Sequence, residues 1–239
     1  MTEGKIAPIL SSGAGSLGIA LPQTALSAFE KYYELLEARR QTVNLTAIAG
    51  AESVARLHFL DSLALINFAQ LKGARVIDIG SGAGIPGIPL KIAEPSVDIA
   101  LLDSTGKRVA FLTELCAALG LDAKCLHARA EEAAHEQCLR ENFDVAVSRA
   151  VARLDALCEL CLPFVRAGGL FIAMKGADSD AEIAASDTAI AALGAELQEI
   201  VDYIIPGTDV SHRAVLIRKT SNTPEKYPRR FARINKAPL

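Results

Sequence analysis

Apolar residues follow two rhythms along this chain, and the change falls near Gly73. Leu26, Phe29, Tyr33 and Leu36 recur three and four residues apart, the spacing of one face of an amphipathic helix. Leu21-Pro22 places a proline at that helix's first turn, and "RRQTVNLTAIAG" breaks it. A second helix is expected from about Glu52 to Phe68, with Val54, Leu57 and Leu65 on one face and His58 and Asp61 on that face or its border. Residues 22–70 therefore read as helical. The preceding segment reads as a short helix and a Gly/Ser-containing loop, without the basic-then-apolar order of a signal peptide.

After Gly73 the pattern becomes short apolar runs: "RVIDIG" (75–80), "DIALLD" (98–103), "AKCLHA" (123–128), "FDVAVS" (143–148), "GLFIAM" (169–174), "EIVDYII" (199–205) and "RAVLIR" (213–218). Stretches of helix formers separate the first five, and a helix-like 180–194 precedes the sixth. Near-continuous apolar strands alternating with helices predict an α/β, doubly wound, mostly parallel sheet covered on both faces. The last two runs are joined by "PGTDVSH", too short for a crossover helix, so that pair is expected to be antiparallel. The expected organisation is a helical cap over 1–72, a seven-stranded domain over 73–218 and a tail over 219–239.

Composition refines this picture. With 239 residues and 51% hydrophobic content, the chain can bury a sizeable core, and no apolar stretch is long enough for a membrane span. Five cysteines show no disulfide or metal-ligand spacing; Cys158-x-x-Cys161 lies in a helix-like "LDALCELCLPF", where buried packing is expected. A reducing, cytoplasmic setting without a membrane, a metal or an obligate protein partner follows. Net charge is −3, yet from Lys219 onward six Lys/Arg face one acid, so the tail is +5 and the preceding residues −8. That asymmetry argues against a general nucleic-acid coat and points to a localised contact.

Candidate chemistry gathers at "VIDIGSGAGIPGIPL" (76–90). Gly82-Ala83-Gly84-Ile85-Pro86-Gly87 fits the dinucleotide spacing G-x-G-x-x-G, and an acid at the end of the second strand, Asp103, stands where a ribose would be gripped. Both a nicotinamide cofactor and S-adenosylmethionine carry an adenosine. Pro86 and Pro89 each remove an amide that a pyrophosphate would use, and the Asp78 carboxylate would repel one. A sulfonium and an ammonium favour such a carboxylate, so S-adenosylmethionine suits the loop better. A nicotinamide-dependent oxidoreductase and a non-catalytic RNA-binding or assembly protein remain the alternatives.

In order, "VIDIGSGAGIPGIPLKIAEP", "LLDSTGKRVAFLTEL", "ARAEE", "VSRAVA" and "MKG" resemble the motifs of the bacterial 16S ribosomal RNA guanine-N7 methyltransferases, also called glucose-inhibited division protein B. "NLTAI", "HFLDSLAL" and "KYPRR" also match, so the resemblance runs from about Leu21 to the C-terminus. It implies a class I methyltransferase fold and S-adenosylmethionine as cofactor. Gly80, Gly82 and Ile85 would line the cofactor site together with Asp78. Asp103, Ser104 and Thr105 would meet the adenosine, and Ala130 and Glu131 the adenine. Arg149 would face the methionyl end and the incoming guanine as the catalytic residue. Lys175, Arg229 and Arg230 would contact RNA, the partner being 16S ribosomal RNA or the small ribosomal subunit. The chain departs from the family pattern in having no Trp before "NLT", in Ile85, and in "FARINKAPL" where Gly-x-Pro is usual.

Methylation of guanine N7 requires no general base, because its lone pair lies exposed on the base edge; positioning then supplies much of the acceleration. Consistently, Ser148-Arg149-Ala150 stands where amino-methylating enzymes carry an Asn/Asp-Pro-Pro-aromatic loop, and no Pro-Cys pair is present for attack on a pyrimidine.

Overall fold

The computed structural model describes residues 4–149 and 152–239; Ala150 of the Ser148-Arg149-Ala150 signature lies outside them. Two helices open the chain, Ala7–Ser16 and Gln23–Val43. The first is held by Glu30 of the second, whose Oε1 accepts the Ile6 and Ala7 amides at 2.7 and 2.8 Å. The predicted stripe Leu26, Phe29, Tyr33 and Leu36 is buried, joined by Tyr32, and Asn44 ends the helix with a left-handed φ of 51°.

The helix expected over 52–68 is present but composite. An α-helical turn, Ala51–Val54, passes into a π-helical turn, Ala55–Leu60, then Asp61–Leu63 and a 3-10 turn, Ala64–Asn67. Residue spacing does not announce the wider turn, whose burial of both His58 and Asp61 is set by packing.

Among the described residues seven strands follow: β1 Arg75–Ile79, β2 Asp98–Asp103, β3 Ala123–His127, β4 Phe143–Arg149, β5 Val165–Gly176, β6 Ala195–Ile204 and β7 Ser211–Lys219. Their order is β3-β2-β1-β4-β5-β7-β6. β1 to β5 are parallel, and β7 runs antiparallel to both β5 and β6, as the short link predicts. The single helix expected over 180–194 is two short ones, Asp180–Ala184 and Asp187–Ala192.

Alternation along the strands divides the core. Val76, Ile99, Leu101, Val145 and Val147 pack with the N-terminal helices and with helices Gly87–Ala93 and Gly106–Leu119, so segment 1–72 shares its core with this face of the sheet. Ile77, Ala100, Ala146 and Phe171 pack on the other face with helix Leu154–Cys161 and with Tyr227 and Ile234 of the C-terminal segment. Cys158 and Cys161 are wholly buried there, and burial pushes both thiols up, as fits packing residues.

The basic C-terminal segment is folded back on the sheet domain. Lys219 is buried against Glu141 at 3.0 Å, and the Arg140 guanidinium donates to the carbonyls of Thr223 and Tyr227. Ile234 of the last helix, Phe231–Lys236, is fully buried.

Candidate functional site

Strand order reverses between β1 and β4, which opens a crevice at the carboxyl ends of the strands. The glycine loop sits at its centre. Gly84 must be glycine: its φ is +94°, and a Cβ would lie 3.0 Å from the Tyr32 hydroxyl and 2.7 Å from Ile88. That hydroxyl donates to the Ala83 carbonyl at 2.6 Å and pins the loop to the N-terminal helices.

Asp78 is a correction to the expected cofactor contacts. It shares strand parity with Val76, so its side chain lies beneath the loop and not in the crevice; it is fully buried and accepts the Gly87 amide at 2.9 Å. Burial pushes its carboxyl up to about 7. Its Oδ2 holds the start of helix Gly87–Ala93, while Oδ1 is buried without a hydrogen-bond partner among the described residues. Asp103 does stand at the crevice, where its carboxylate accepts the Gly82 amide at 2.9 Å and the Thr105 amide at 2.8 Å, tying β2 to the loop. Thr105 contributes that amide, and its exposed side chain borders none of the cavities along the crevice, a second correction.

Three adjoining cavities run along the crevice. The first, about 240 Å³, is walled by Gly80, Leu102, Asp103, Ser104, Ala130 and Glu131, with Leu160 and Phe231 completing an apolar slot. The second, about 180 Å³, is formed by Gly80 to Ala83, Ile85, Leu45, Thr46, His58, Arg108 and Arg149. A third, about 480 Å³, lies beyond Thr46, His58 and Arg149, which belong to both, and extends to Met174, Lys175, Val210 and His212. Another cavity, about 430 Å³, opens at the opposite end of the strands; its Arg166 is engaged by Asp144 and its Arg218 by Gln198.

The wall between the second and third cavities is a polar network built by parity. Arg149 continues the Val145-Val147 face and so meets the N-terminal helices. His212 and Tyr203 sit opposite one another in the β7–β6 ladder, and β7's reversal brings them to the same end of the sheet. The fully buried Asp61 accepts from Arg149 Nη1 at 3.2 Å, Tyr203 hydroxyl at 2.8 Å and His212 Nδ1 at 2.9 Å. Arg149 also donates to the Leu57 carbonyl at 2.9 Å and to His58 Nδ1 at 2.7 Å. Burial, then the adjacent guanidinium, pushes the His58 imidazole down to about 3, so it is neutral. Lys175 Nζ donates to the Ala152 carbonyl at 2.7 Å and to Glu182 Oε1 at 2.6 Å.

Arg229 is the third correction. Its guanidinium grips the fully buried Glu159 at 2.6 and 2.8 Å and is not presented to RNA. Phe231, two residues after Arg229, borders the first cavity beside Leu160, the neighbour of Glu159. Arg230 is exposed at the rim of a neighbouring cavity of about 610 Å³. Sequence reasoning missed Thr46, Leu160, Tyr203, His212 and Phe231, and left His58 and Asp61 without a role. "NLTAI" and "HFLDSLAL" were visible signals, but nothing in them tells which strand end they meet.

These groups fit S-adenosylmethionine. An apolar slot beside a carboxylate and a hydroxyl suits an adenosine. The backbone of Gly80 to Ala83 with two guanidiniums suits a charged amino-acid end.

A family model described as rRNA small subunit methyltransferase G matches residues 25–207. The ribosomal RNA small subunit methyltransferase G of Clostridium tetani is 42% identical over 233 residues, covering 97% of this chain and 98% of its own. That of Lachnoclostridium phytofermentans is 45% identical over 229 residues, 95% of each. Among solved structures, a predicted O-methyltransferase from Agrobacterium tumefaciens shares the fold, with a TM-score of 0.53 at 20% identity over 70% of this chain and 81% of that one. The chain thus belongs to the rRNA small subunit methyltransferase G family, and S-adenosylmethionine is its cofactor.

Proposed function

We propose that this methyltransferase acts on N7 of a guanine in 16S ribosomal RNA, with the adenosine in the Asp103–Phe231 slot and the target base in the cavity beyond Arg149. The observation that carries this reading is the shared wall: Arg149, His58 and Thr46 border both the methionyl and the acceptor cavities, so a base there meets the donor end of the cofactor. Bound cofactor supplies a methyl group on a sulfonium sulfur. Gly80, Gly82, Ile85, Asp103, Ser104, Ala130 and Glu131 hold the cofactor. Arg149, fixed by Asp61 and Leu57, orients the base, and its positive charge favours the electron-rich guanine edge. The exposed Arg230 faces RNA, and Lys175, its ammonium held by Glu182 and the Ala152 carbonyl, lines the acceptor cavity. Family membership sets aside the nicotinamide-dependent alternative.

Attack by N7 releases no proton, so no side chain serves as an obligatory base. His58 suits this, because Arg149 occupies its Nδ1. A second reading is favoured by one observation: His212, oriented by Asp61, borders the acceptor cavity and could take a proton from an amino or hydroxyl acceptor. Mapping N7-methylguanine in small-subunit RNA from cells with and without the protein separates them. Loss of one modified guanine is expected; an unchanged map, with a methyl group lost from another atom, overturns the N7 reading.

A further inference from the structure

Proton placement around Arg149 leaves one hydroxyl hydrogen without an acceptor on the wall of the acceptor cavity. A guanidinium donates and cannot accept, so its 2.7 Å contact with His58, shorter than the 3.2 Å approach of Nδ1 to the Leu57 carbonyl, makes Nδ1 the acceptor. Neutral imidazole then carries its hydrogen on Nε2. That hydrogen goes to Thr46 Oγ1, 2.8 Å away, and the Ile48 amide donates to the same oxygen at 3.0 Å. Both lone pairs of the hydroxyl are taken. Among the described residues the Thr46 hydrogen meets no acceptor, and Thr46 stands on the wall common to the methionyl and acceptor cavities. A serine or threonine hydroxyl ordinarily rotates to donate or accept; this one can only donate.

We infer that Thr46 is a specificity-determining residue whose hydroxyl donates to O6 of the target guanine, with His58 as the positioning residue that fixes its direction. This rests on the guanine-N7 reading. On the edge that carries N7, guanine presents O6, an acceptor, and adenine presents an amino group, a donor. N7 must stay unpaired to attack, so position 6 distinguishes the two purines. A hydroxyl with vacant lone pairs would accept the adenine amino group. One with filled lone pairs sets hydrogen against hydrogen there. Arg149, by occupying His58 Nδ1, sets the tautomer on which the selection depends.

The test uses small ribosomal subunits lacking the methyl group, with guanine or adenine at the target position. Thr46→Val removes the hydroxyl at nearly constant shape, Thr46→Ala is a second truncation, and Thr46→Ser restores the donor. Loss of one hydrogen bond to a buried polar atom predicts a kcat/KM lower by about 10- to 100-fold in Thr46→Val and Thr46→Ala. Thr46→Ser should stay within a few-fold of the parent. S-adenosylhomocysteine affinity by calorimetry should stay within a few-fold of the parent, a larger loss assigning the hydroxyl to the methionyl end and overturning the inference, and the guanine-to-adenine preference should narrow in both truncations. Nitrogen-15 NMR of the full chain should show His58 protonated at Nε2. Full turnover and undiminished preference in the truncations, or a His58 hydrogen on Nδ1, overturns the inference while a parent that methylates guanine N7 stands. A parent that makes no N7-methylguanine overturns the reading beneath it.

Discussion

The two halves of the crevice are built differently. The half proposed to hold adenosine comes from short contiguous stretches, 79–87, 102–105 and 128–131, each a loop at the end of a neighbouring parallel strand. Its shape is mostly backbone: glycines with positive φ and amides tied to Asp103. The half proposed to take the acceptor comes from Thr46, His58, Asp61, Arg149, Tyr203 and His212, spread over more than half the chain. It is a side-chain network around one buried carboxylate. A backbone-made site tolerates sequence drift outside its glycines and acid. A network around a buried charge ties the site to stability, since an unpaired buried charge is strongly destabilising.

The largest expected effect follows from that tie. Arg149→Ala should lower turnover by at least about 100-fold, and it should also lower stability by about 3 kcal/mol, because Asp61 loses its charged partner in a buried site. Turnover assays beside urea unfolding check both. Arg149→Lys should recover neither in full, since a single ammonium cannot reach Leu57, His58 and Asp61 together. An Arg149→Ala protein of parental stability would show that the acceptor half is as local as the cofactor half.

Next in size is an opposed pH dependence. His58, held down to about 3 against an ordinary 6.5, withdraws stability as pH falls below 6.5. Asp78, raised from 3.8 to about 7, contributes stability that is full below 3.8 and is lost as pH rises toward 7. Between about pH 4 and 6.5 the two slopes oppose, each at most about 1.4 kcal/mol per pH unit. Relative to the parent, His58→Gln should shift the stability slope in this window so that the protein gains on acidification, and Asp78→Asn should shift it the other way. Unfolding free energies at pH 4.5, 5.5 and 6.5 measure this; equal slopes in all three proteins would refute it.

On the cofactor side, Asp103→Ala should weaken S-adenosylhomocysteine binding by about 1.5–3 kcal/mol, through lost charge-assisted bonds and a loosened Gly82 amide. Calorimetry on the folded variant decides. The smallest effect belongs to Phe231→Ala, about 1 kcal/mol in the same assay, with no change in melting temperature because the ring is half-exposed. Arg229→Ala should weaken cofactor binding too, by releasing Phe231. Normal affinity in both variants would mean that the C-terminal segment is no part of the adenosine slot.

What could be seen from the sequence alone tracks this division. Strand runs, the antiparallel last pair and the stripe in helix Gln23–Val43 follow from period and link length, which act over a few residues. So do Gly80, Gly82 and Asp103, because a loop between a strand and a helix needs glycines in fixed places and the next strand must end beside it. Tertiary structure alone decided the rest. Asp78 looked like a ligand from its place in the motif, yet strand parity turned it under the loop. Arg229 looked like an RNA contact from its charge, yet Glu159, 70 positions earlier, claims it. The π-helical turn that carries His58 and leads into Asp61, and the reversal of β7 that brings His212 to the same end of the sheet, join residues about 150 positions apart. Period and local charge carry no information about such pairs, because burial and hydrogen bonding across the sheet select them only once the chain is folded.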